Sequence, residues 1–187
     1  LNGAVFCYGY SNQQIQEVIL VVPFLRNAPQ AEAYGLDLDA SWRVSDAVTI
    51  NWGLGLIETE YKELTLSGVD LAGNQFTNAP EMTSNLSVDW RVGEVAGGRI
   101  NAFANATYVG HTYFSPFNEE NNNGNLQQDP YWTLDGRLSW SNGRYEVALW
   151  GRNLLEEEYY TYGLNLQNGF GLDYLVAAAP RTYGVQV

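Results

Sequence analysis

Apolar and polar side chains alternate with a period of two along almost the whole chain. The pattern is clearest at residues 131–140, where one face carries Trp132, Leu134, Gly136, Leu138 and Trp140, and the other carries Tyr131, Thr133, Asp135, Arg137 and Ser139. This period predicts β-strands with one apolar face. A Trp at each end of that face is typical of a strand that crosses a membrane, because indole rings settle at the two membrane interfaces.

The same alternation recurs in segments 34–43, 48–56, 85–90, 100–109 and 144–152. Leu1 to about Gln16 and Arg181 to Val187 are also strand-like, but their alternation does not settle which face is apolar. The sequence therefore predicts eight strands. Their apolar faces carry five tryptophans that we expect to form a lipid-facing girdle: Trp42, Trp52, Trp90, Trp132 and Trp140.

The predicted strands are joined alternately by short and long links. Short links fall near 44–46, 93–98 and 141–143, and long links at about 17–30, 61–81, 113–129 and 159–178. Asn142-Gly143 suits a type I′ hairpin turn. Outer-membrane barrels have short periplasmic turns and long external loops, whereas a soluble β-sandwich has no reason to sort its loops by side. A barrel is therefore favoured, and a soluble β-rich binding module is a distant alternative.

Composition supports a barrel and excludes other classes. Only 16% of the 187 residues are charged although 45% are hydrophobic, and a soluble domain usually has about a quarter charged. The net charge of −12 argues against a nucleic-acid partner, since phosphate binding needs clustered Lys and Arg. The sequence has no apolar run long enough for a membrane-spanning helix. Cys7 is the one cysteine, so it offers no intramolecular disulfide and no paired metal site.

Four segments resemble the C-terminal barrel of TonB-dependent receptors. Residues 148–160 (ALWGRNLLEEEYY) resemble the family's near-terminal "NL-(D/E)-x-x-Y" segment, and residues 179–185 (APRTYGV) resemble the "P-R-x-(Y/F)-G" that opens its final strand. Residues 76–80 (FTNAP) and 33–39 (AYGLDLD) resemble two further family segments. They follow the family's order and spacing across nearly the whole chain.

The resemblance implies an all-β fold, an antiparallel transmembrane β-barrel of 22 strands with an N-terminal plug. Residues 1–187 would then be its C-terminal part, the last eight or so strands, with the plug absent and both ends truncated. The implied function is uptake of a scarce nutrient across the outer membrane of a Gram-negative bacterium. A ferric siderophore-like ligand comes first, with cobalamin or a saccharide as alternatives. The implied partners are outer-membrane lipid, the nutrient, and the TonB complex acting through the missing N-terminal region on a monomeric barrel.

Few residues are candidates for chemistry. The sequence shows no catalytic constellation around His111 and no cofactor motif, so we expect a transport protein and no enzyme. External loops are where ligand contact is expected, and the candidates there are His111, Glu119, Glu120, Phe170 and Tyr174. The charged residues of the polar faces are expected to line the lumen: Asp37, Asp39, Asp89, Asp135, Glu146, Arg43, Arg137, Arg144 and Arg152. A passive porin is the alternative function, because it has the same strand pattern.

Overall fold

The computed structural model describes residues 1–19, 22–118 and 126–187, and this part of the chain is almost entirely antiparallel β-structure. In chain order its elements are β1 (Asn2–Ile19), β2 (Val22–Arg43), β3 (Val48–Glu63), β4 (Thr65–Leu66), β5 (Val69–Asp70), β6 (Met82–Val95), β7 (Gly98–Val109), β8 (Thr112–Tyr113), β9 (Gln127–Gln128), β10 (Tyr131–Ser141), β11 (Glu146–Arg152), β12 (Tyr160–Asn165), α1 (Gln167–Phe170), β13 (Asp173–Ala177) and β14 (Thr182–Gln186).

Eight of these strands form one sheet, in the order β1-β2-β3-β6-β7-β10-β11-β14. Each strand of this sheet pairs with its neighbour along the chain, so the predicted eight-stranded meander is confirmed. Within the described residues β1 and β14 are the two edges, and the sheet is open. The pairs β4–β5, β8–β9 and β12–β13 are separate two-stranded ribbons inside the long connections. Among the described residues, no helix is long and apolar enough to cross a membrane.

The strand register places like side chains next to each other across the sheet. Trp52 pairs with Ala40 on one side and Leu86 on the other. On the opposite face, Asn51 pairs with Ser41 and Ser87 in the same two ladders. We call the face of Trp52 the outer face and the face of Asn51 the lumen face. Because a barrel wall borders lipid on one side and water on the other, this separation is what a membrane barrel requires.

All five predicted girdle tryptophans lie on the outer face. Trp42, Trp90 and Trp140 lie near the short turns, and Trp132 lies near the opposite end, which we call the loop end. Trp52 lies between the ends, and its indole N–H donates to Ser84 Oγ at 3.0 Å. A free N–H would be costly in an apolar layer, so this bond allows Trp52 to lie away from an interface. Contact of the five with lipid stays a prediction.

The outer face becomes polar toward the loop end. Leu36 pairs with Leu56, whereas four residues further out Glu32 pairs with Glu60. The Lys62 ammonium lies 3.4 Å from a carboxylate oxygen of Glu32. Charges of this kind belong in water, so β2 and β3 continue beyond the apolar layer of the wall.

The longest hairpin corrects one prediction. Residues 17–30 were expected to form a long loop, but β1 and β2 stay paired out to Ile19 and Val22. The packing of Ile15 and Ala28, which are both buried, explains why the strands continue. This stabilisation is tertiary, and an alternation pattern does not report it.

A break inside this hairpin changes which face each residue occupies. Asn12 adopts a left-handed conformation (φ 57°) opposite Pro29, and neither belongs to the paired register. Before the break Tyr10 lies on the lumen face, and after it the odd-numbered Ile15 and Glu17 are the buried residues. The switch explains why alternation over the first segment gave no single answer.

The turn at Asn142 also differs from prediction. A type I′ turn needs positive φ at both central residues, but of the pair only Gly143 has it (φ 86°). Instead Asn142 Oδ1 accepts the backbone N–H groups of Arg144 and Tyr145 at 3.0 and 2.9 Å. The side chain therefore organises a longer turn. Paired positive φ values occur at Ala96 (51°) and Gly97 (71°).

Replacing Ala96 by glycine should stabilise the protein by about 1 kcal/mol, because a Cβ in the left-handed region meets a neighbouring carbonyl oxygen. The measurement is thermal unfolding of the full-length protein in lipid vesicles. Ala104→Gly in β7 is the matched control, and there glycine should cost stability. A melting temperature lowered equally by both substitutions would contradict the turn assignment.

Candidate functional site

The connections at the loop end fold onto the sheet. Segment 64–81 packs on the β1–β2 hairpin through a buried cluster of Ile15, Ala28, Ala31, Tyr61, Leu64, Leu66 and Leu71. Phe76 and Phe117 pack partly buried against it. The backbone N–H of Phe76 also donates to Thr59 Oγ1 at 3.0 Å. Since Tyr61 and Ala31 belong to the lumen face, this loop covers the lumen side of the wall.

A buried carboxylate joins two of the loops. Glu17 is only 3% exposed, and one of its oxygens lies 2.8 Å from Arg26 Nε. The other accepts a 2.6 Å hydrogen bond from Ser67 Oγ in the β4–β5 turn. Burial raises the pKa of Glu17, but the hydrogen bonds from Ser67 and Arg26 together outweigh it, so the pKa of this carboxyl lies below its ordinary value. The ionised Glu17 therefore holds the β4–β5 ribbon against the hairpin.

Acid should release this contact. A group whose pKa is lowered by folding stabilises the fold above its unfolded value, here 4.5, and loses that contribution as pH falls through the lower folded value. Hydrogen exchange of backbone amides in segment 64–73 of the full-length protein should therefore speed up between neutral pH and about pH 3, beyond the intrinsic pH effect. Glu17→Gln should remove this extra pH dependence, whereas the exposed Glu60→Gln should keep it. If exchange in segment 64–73 depended on pH equally in the two variants, Glu17 would not be the group whose ionisation holds this segment.

A cavity of about 310 Å³ lies where four connections meet. It is lined by Glu17 and Ser67, by the aromatic side chains of Phe114 and Phe117, and by β12 at Gly163. Gly163 is needed there because a Cβ at this position would approach the ring of Phe114 to 2.7 Å. The mixed polar and aromatic lining is the kind that ligand pockets use.

A second feature of the lumen face is a row of three aromatic side chains on β1, which we call the aromatic ladder: Phe6, Tyr8 and Tyr10. Successive ring centroids are 5.3 and 6.2 Å apart. The ring of Phe76 lies 6.1 Å beyond Tyr10 and 4.8 Å from Tyr61. The ladder therefore leads from the wall to the folded loop.

The members of this aromatic surface differ in exposure. Tyr8 is 53% exposed and Tyr10 is 40% exposed, whereas Tyr61 is 1% exposed. Burial raises the pKa of the Tyr61 phenol, and hydrogen bonds with Thr77 partly oppose that shift, so Tyr61 is a protonated packing residue. The accessible rings are those of the ladder. Sequence reasoning missed them because the facing of the first segment was ambiguous, although the i, i+2 spacing of three aromatics was visible.

Within the described part of the chain, the loop candidates named from the sequence do not form one cluster. His111 Nε2 lies 3.2 Å from Gln127 Oε1, and its ring meets Tyr113 edge-on at 4.5 Å, so it supports the β8–β9 ribbon. Phe170, at the end of α1, is 66% exposed, and Tyr174, on β13, is 52% exposed. Glu119 and Glu120 lie outside the described residues. Within the described ranges, no group of three or more His, Cys, Asp or Glu could hold a metal ion.

The lumen face of the wall is polar, as the alternation predicts. Gly53 and Gly55 leave a trough with Asp37 and Asp39 on one side and Thr83 and Asn85 on the other. The remaining strand charges predicted to line the lumen share this face: Arg43, Asp89, Asp135, Arg137, Glu146 and Arg152. Arg144 lies in the short turn after β10 instead. Arg137 pairs with Glu146 and donates to Gln186 at 2.9 Å.

Asn153 ties the last strands together. It is 6% exposed with φ 49°. Its Nδ2 donates to the carbonyl oxygens of Glu157 at 2.9 Å and Ala179 at 3.5 Å, while its Oδ1 accepts the N–H of Glu157 at 3.0 Å. Its own N–H donates to Asp135 Oδ1 at 2.9 Å. Leu154 then covers Gly136 and Gly151 on the outer face. These contacts give the Asn-Leu pair of the family-like segment a structural role.

Comparison with known proteins settles the family. A family model described as "TonB dependent receptor-like, beta-barrel" matches residues 1–154. The chain belongs to this family. The resemblance drawn from the sequence is thus confirmed, and so is the fold class. Barrels of this family lie in the Gram-negative outer membrane, as predicted here.

Relatives of this TonB-dependent receptor barrel have been characterised. The pesticin receptor of Yersinia pestis is 27% identical over 164 residues, which are 87% of this chain and 23% of the relative. The ferric yersiniabactin uptake receptor FyuA of the same organism is similar in structure, with a TM-score of 0.79 and 25% identity over 98% of this chain and 26% of that one. The siderophore receptor PiuA of Acinetobacter baumannii has a TM-score of 0.70 at 18% identity, and the match covers 98% of this chain and 24% of that one. At this identity the likeness supports the fold alone. The chain spans about a quarter of the length of these relatives.

Proposed function

We propose that the full protein is a TonB-dependent outer-membrane receptor that imports a ferric siderophore-like ligand. Residues 1–187 contribute barrel wall, lumen lining and external loops, and they perform no bond chemistry. Family membership supports the transport class, and a similar structure at 25% identity is described as a ferric yersiniabactin uptake receptor. Energy would come from the TonB complex through an N-terminal region beyond this chain.

The observation that carries this proposal is the inward packing of the loops. Segment 64–81 packs on the lumen face, and four connections line the 310 Å³ cavity. A receptor that captures a scarce ligand needs concave surfaces with both aromatic and polar groups. Cobalamin or a saccharide would need the same kind of surface, but the description of the similar FyuA structure as a ferric yersiniabactin uptake receptor favours iron.

A passive porin is the second candidate, because its strands have the same alternation. A porin keeps a water-filled channel open, and a loop packed over aromatic rings on the lumen side does not serve that purpose. Either candidate is expected to place the predicted tryptophan girdle in contact with lipid: Trp42, Trp52, Trp90, Trp132 and Trp140. A monomeric barrel is likewise expected of the receptor.

Growth under iron limitation tests the proposed function. Cells that lack the full-length gene should grow more slowly when iron is supplied only as a chelate, and plasmid-borne full-length protein should restore growth. Free ferrous iron under reducing conditions should support both strains equally, which controls for general damage to the envelope. Equal growth of both strains on every ferric chelate supplied would overturn the proposal for iron.

A further inference from the structure

The four connections at the loop end contact one another as well as the wall. The first contact is the hydrogen bond from Ser67 to the buried Glu17, which joins segment 64–81 to the tip of the β1–β2 hairpin. A second junction joins segment 64–81 to the connection after β7, and a third joins that connection to segment 159–178. The connection after β7 is described at residues 110–118 and 126–130.

Asn118 makes the second junction, by a pair of hydrogen bonds between residues 43 positions apart in the chain. Its Nδ2 donates to the carbonyl oxygen of Gln75 at 3.0 Å, and its Oδ1 accepts the backbone N–H of Gln75 at 2.5 Å. Beside it, Asn74 Nδ2 donates to the carbonyl oxygen of Pro116 at 3.0 Å. One side chain therefore satisfies both backbone groups of Gln75, as a neighbouring β-strand would.

Gly163 makes the third junction, because it lets β12 lie directly on the connection after β7. A Cβ at this position would approach the side chains of Phe114 to 2.7 Å and Leu126 to 2.9 Å. These two side chains are 9% and 0% exposed. Nearby, the backbone N–H of Tyr160 donates to Gln128 Oε1 at 2.7 Å. The burial of Phe114 and Leu126 thus depends on β12 as well as on their own connection.

The ribbons inside these connections are too small to be stable alone. The pairs β4–β5 and β8–β9 have two residues in each strand, and even a longer isolated two-stranded hairpin is only marginally stable in water. Their order must therefore come from contacts with the wall and with one another. Segments that share their contacts in this way open as a unit, because releasing one removes part of the packing of the next.

We propose that the four connections form one cooperative unit, with residues 110–118 at its centre, so that they open together and not one at a time. The cavity that all four line is then formed or lost in a single step. A ligand that binds to any part of this unit stabilises all of it, since coupling between sites is reciprocal. This cooperativity does not depend on which ligand the protein imports, so failure of the proposed function would leave it standing.

The test is hydrogen exchange of backbone amides at constant pH in the full-length protein in detergent, with variants at two junctions. Asn118→Ala breaks the second junction, and Gly163→Ala crowds the third. The decisive amides lie beyond the next junction, in segment 159–165 for Asn118→Ala and in segment 64–73 for Gly163→Ala. Asn142→Ala is the matched control, because it also removes a side chain that accepts backbone N–H groups, but in the short turn after β10.

Asn118→Ala should speed exchange about tenfold, as expected for the loss of two hydrogen bonds. The factor should be the same in all four connections, since amides of one cooperative unit exchange through the same opening. Gly163→Ala should likewise speed exchange in all four by one common factor. In both variants the amides of β7 and β10 should exchange as in the unmodified protein, which shows that the wall stays folded.

The control Asn142→Ala should leave exchange in the four connections unchanged. Faster exchange confined to the two connections that meet at the altered junction would overturn the inference, because the connections would then open independently. Faster exchange that includes the wall would also overturn it, since the connections would not form a unit of their own. Unchanged exchange in both junction variants would show that these contacts do not hold the connections together, and would overturn it too.

Discussion

Replacing Asn153 by alanine should lower the free energy of unfolding of the full-length protein by about 3 kcal/mol. Alanine loses the side-chain hydrogen bonds to Glu157 and Ala179, at about 1 kcal/mol each for the well-formed ones. Alanine also tolerates the left-handed backbone at this position less well than asparagine, which adds about 1 kcal/mol. Because the site is buried, water does not replace the lost partners.

The measurement for Asn153→Ala is reversible unfolding by denaturant in lipid vesicles, followed by tryptophan fluorescence. Asn142→Ala is the matched control, since Asn142 also organises its turn by accepting backbone N–H groups, but in an exposed position. It should cost no more than about 1 kcal/mol. Similar losses for the two variants would show that Asn153 does not join the last strands in the way described.

Arginine in place of Leu86 should destabilise the inserted barrel by about 2–4 kcal/mol, the cost of a cation on the lipid side near the middle of the membrane. Leu86 lies in the row of Ala40 and Trp52, between the short-turn and loop ends of the apolar layer. Its side chain is 46% exposed in the isolated sheet, which is the surface that lipid would cover.

The control for Leu86→Arg is its neighbour Asn85, which points to the lumen face across from Gly53. Asn85→Arg should change the free energy of unfolding little, because the new guanidinium would stand in a polar trough near Asp39. Both variants are measured by unfolding in vesicles and by the amount of heat-modifiable protein recovered from membranes. A larger loss at Asn85 than at Leu86 would reverse the assignment of the two faces.

The strands of the barrel wall were predictable from the sequence because each strand's own residues decide which of its faces is apolar. Each strand between the short turns and the loop end must present one face to lipid and the other to water, so alternation at Trp132–Trp140 reports the fold directly. The same reasoning recovered the short turns around Asp46 and Asn142. It failed on the turn type at Asn142, since the side chain of Asn can satisfy backbone N–H groups without a left-handed residue.

The candidate site was less predictable because it depends on contacts between distant segments. Glu17 is buried by a turn that lies 50 residues later in the chain. A local sequence pattern does not predict a contact between residues so far apart. The ladder on β1 was hidden by the switch of faces at Asn12. His111 attracted notice as the one histidine, yet its contacts serve a two-stranded ribbon. The loop end is therefore where tertiary packing decides structure and where sequence patterns inform least.

Uptake of radiolabelled iron by cells with and without TonB tests the central claim most directly. Cells that carry the full-length protein are given a ferric chelate that the protein binds, and iron retained inside the cells is counted over time. The proposed receptor predicts saturable accumulation that is lost when TonB is deleted, while binding at the cell surface remains. Accumulation at the same rate without TonB, rising in proportion to the chelate concentration, would contradict it and identify a passive pore.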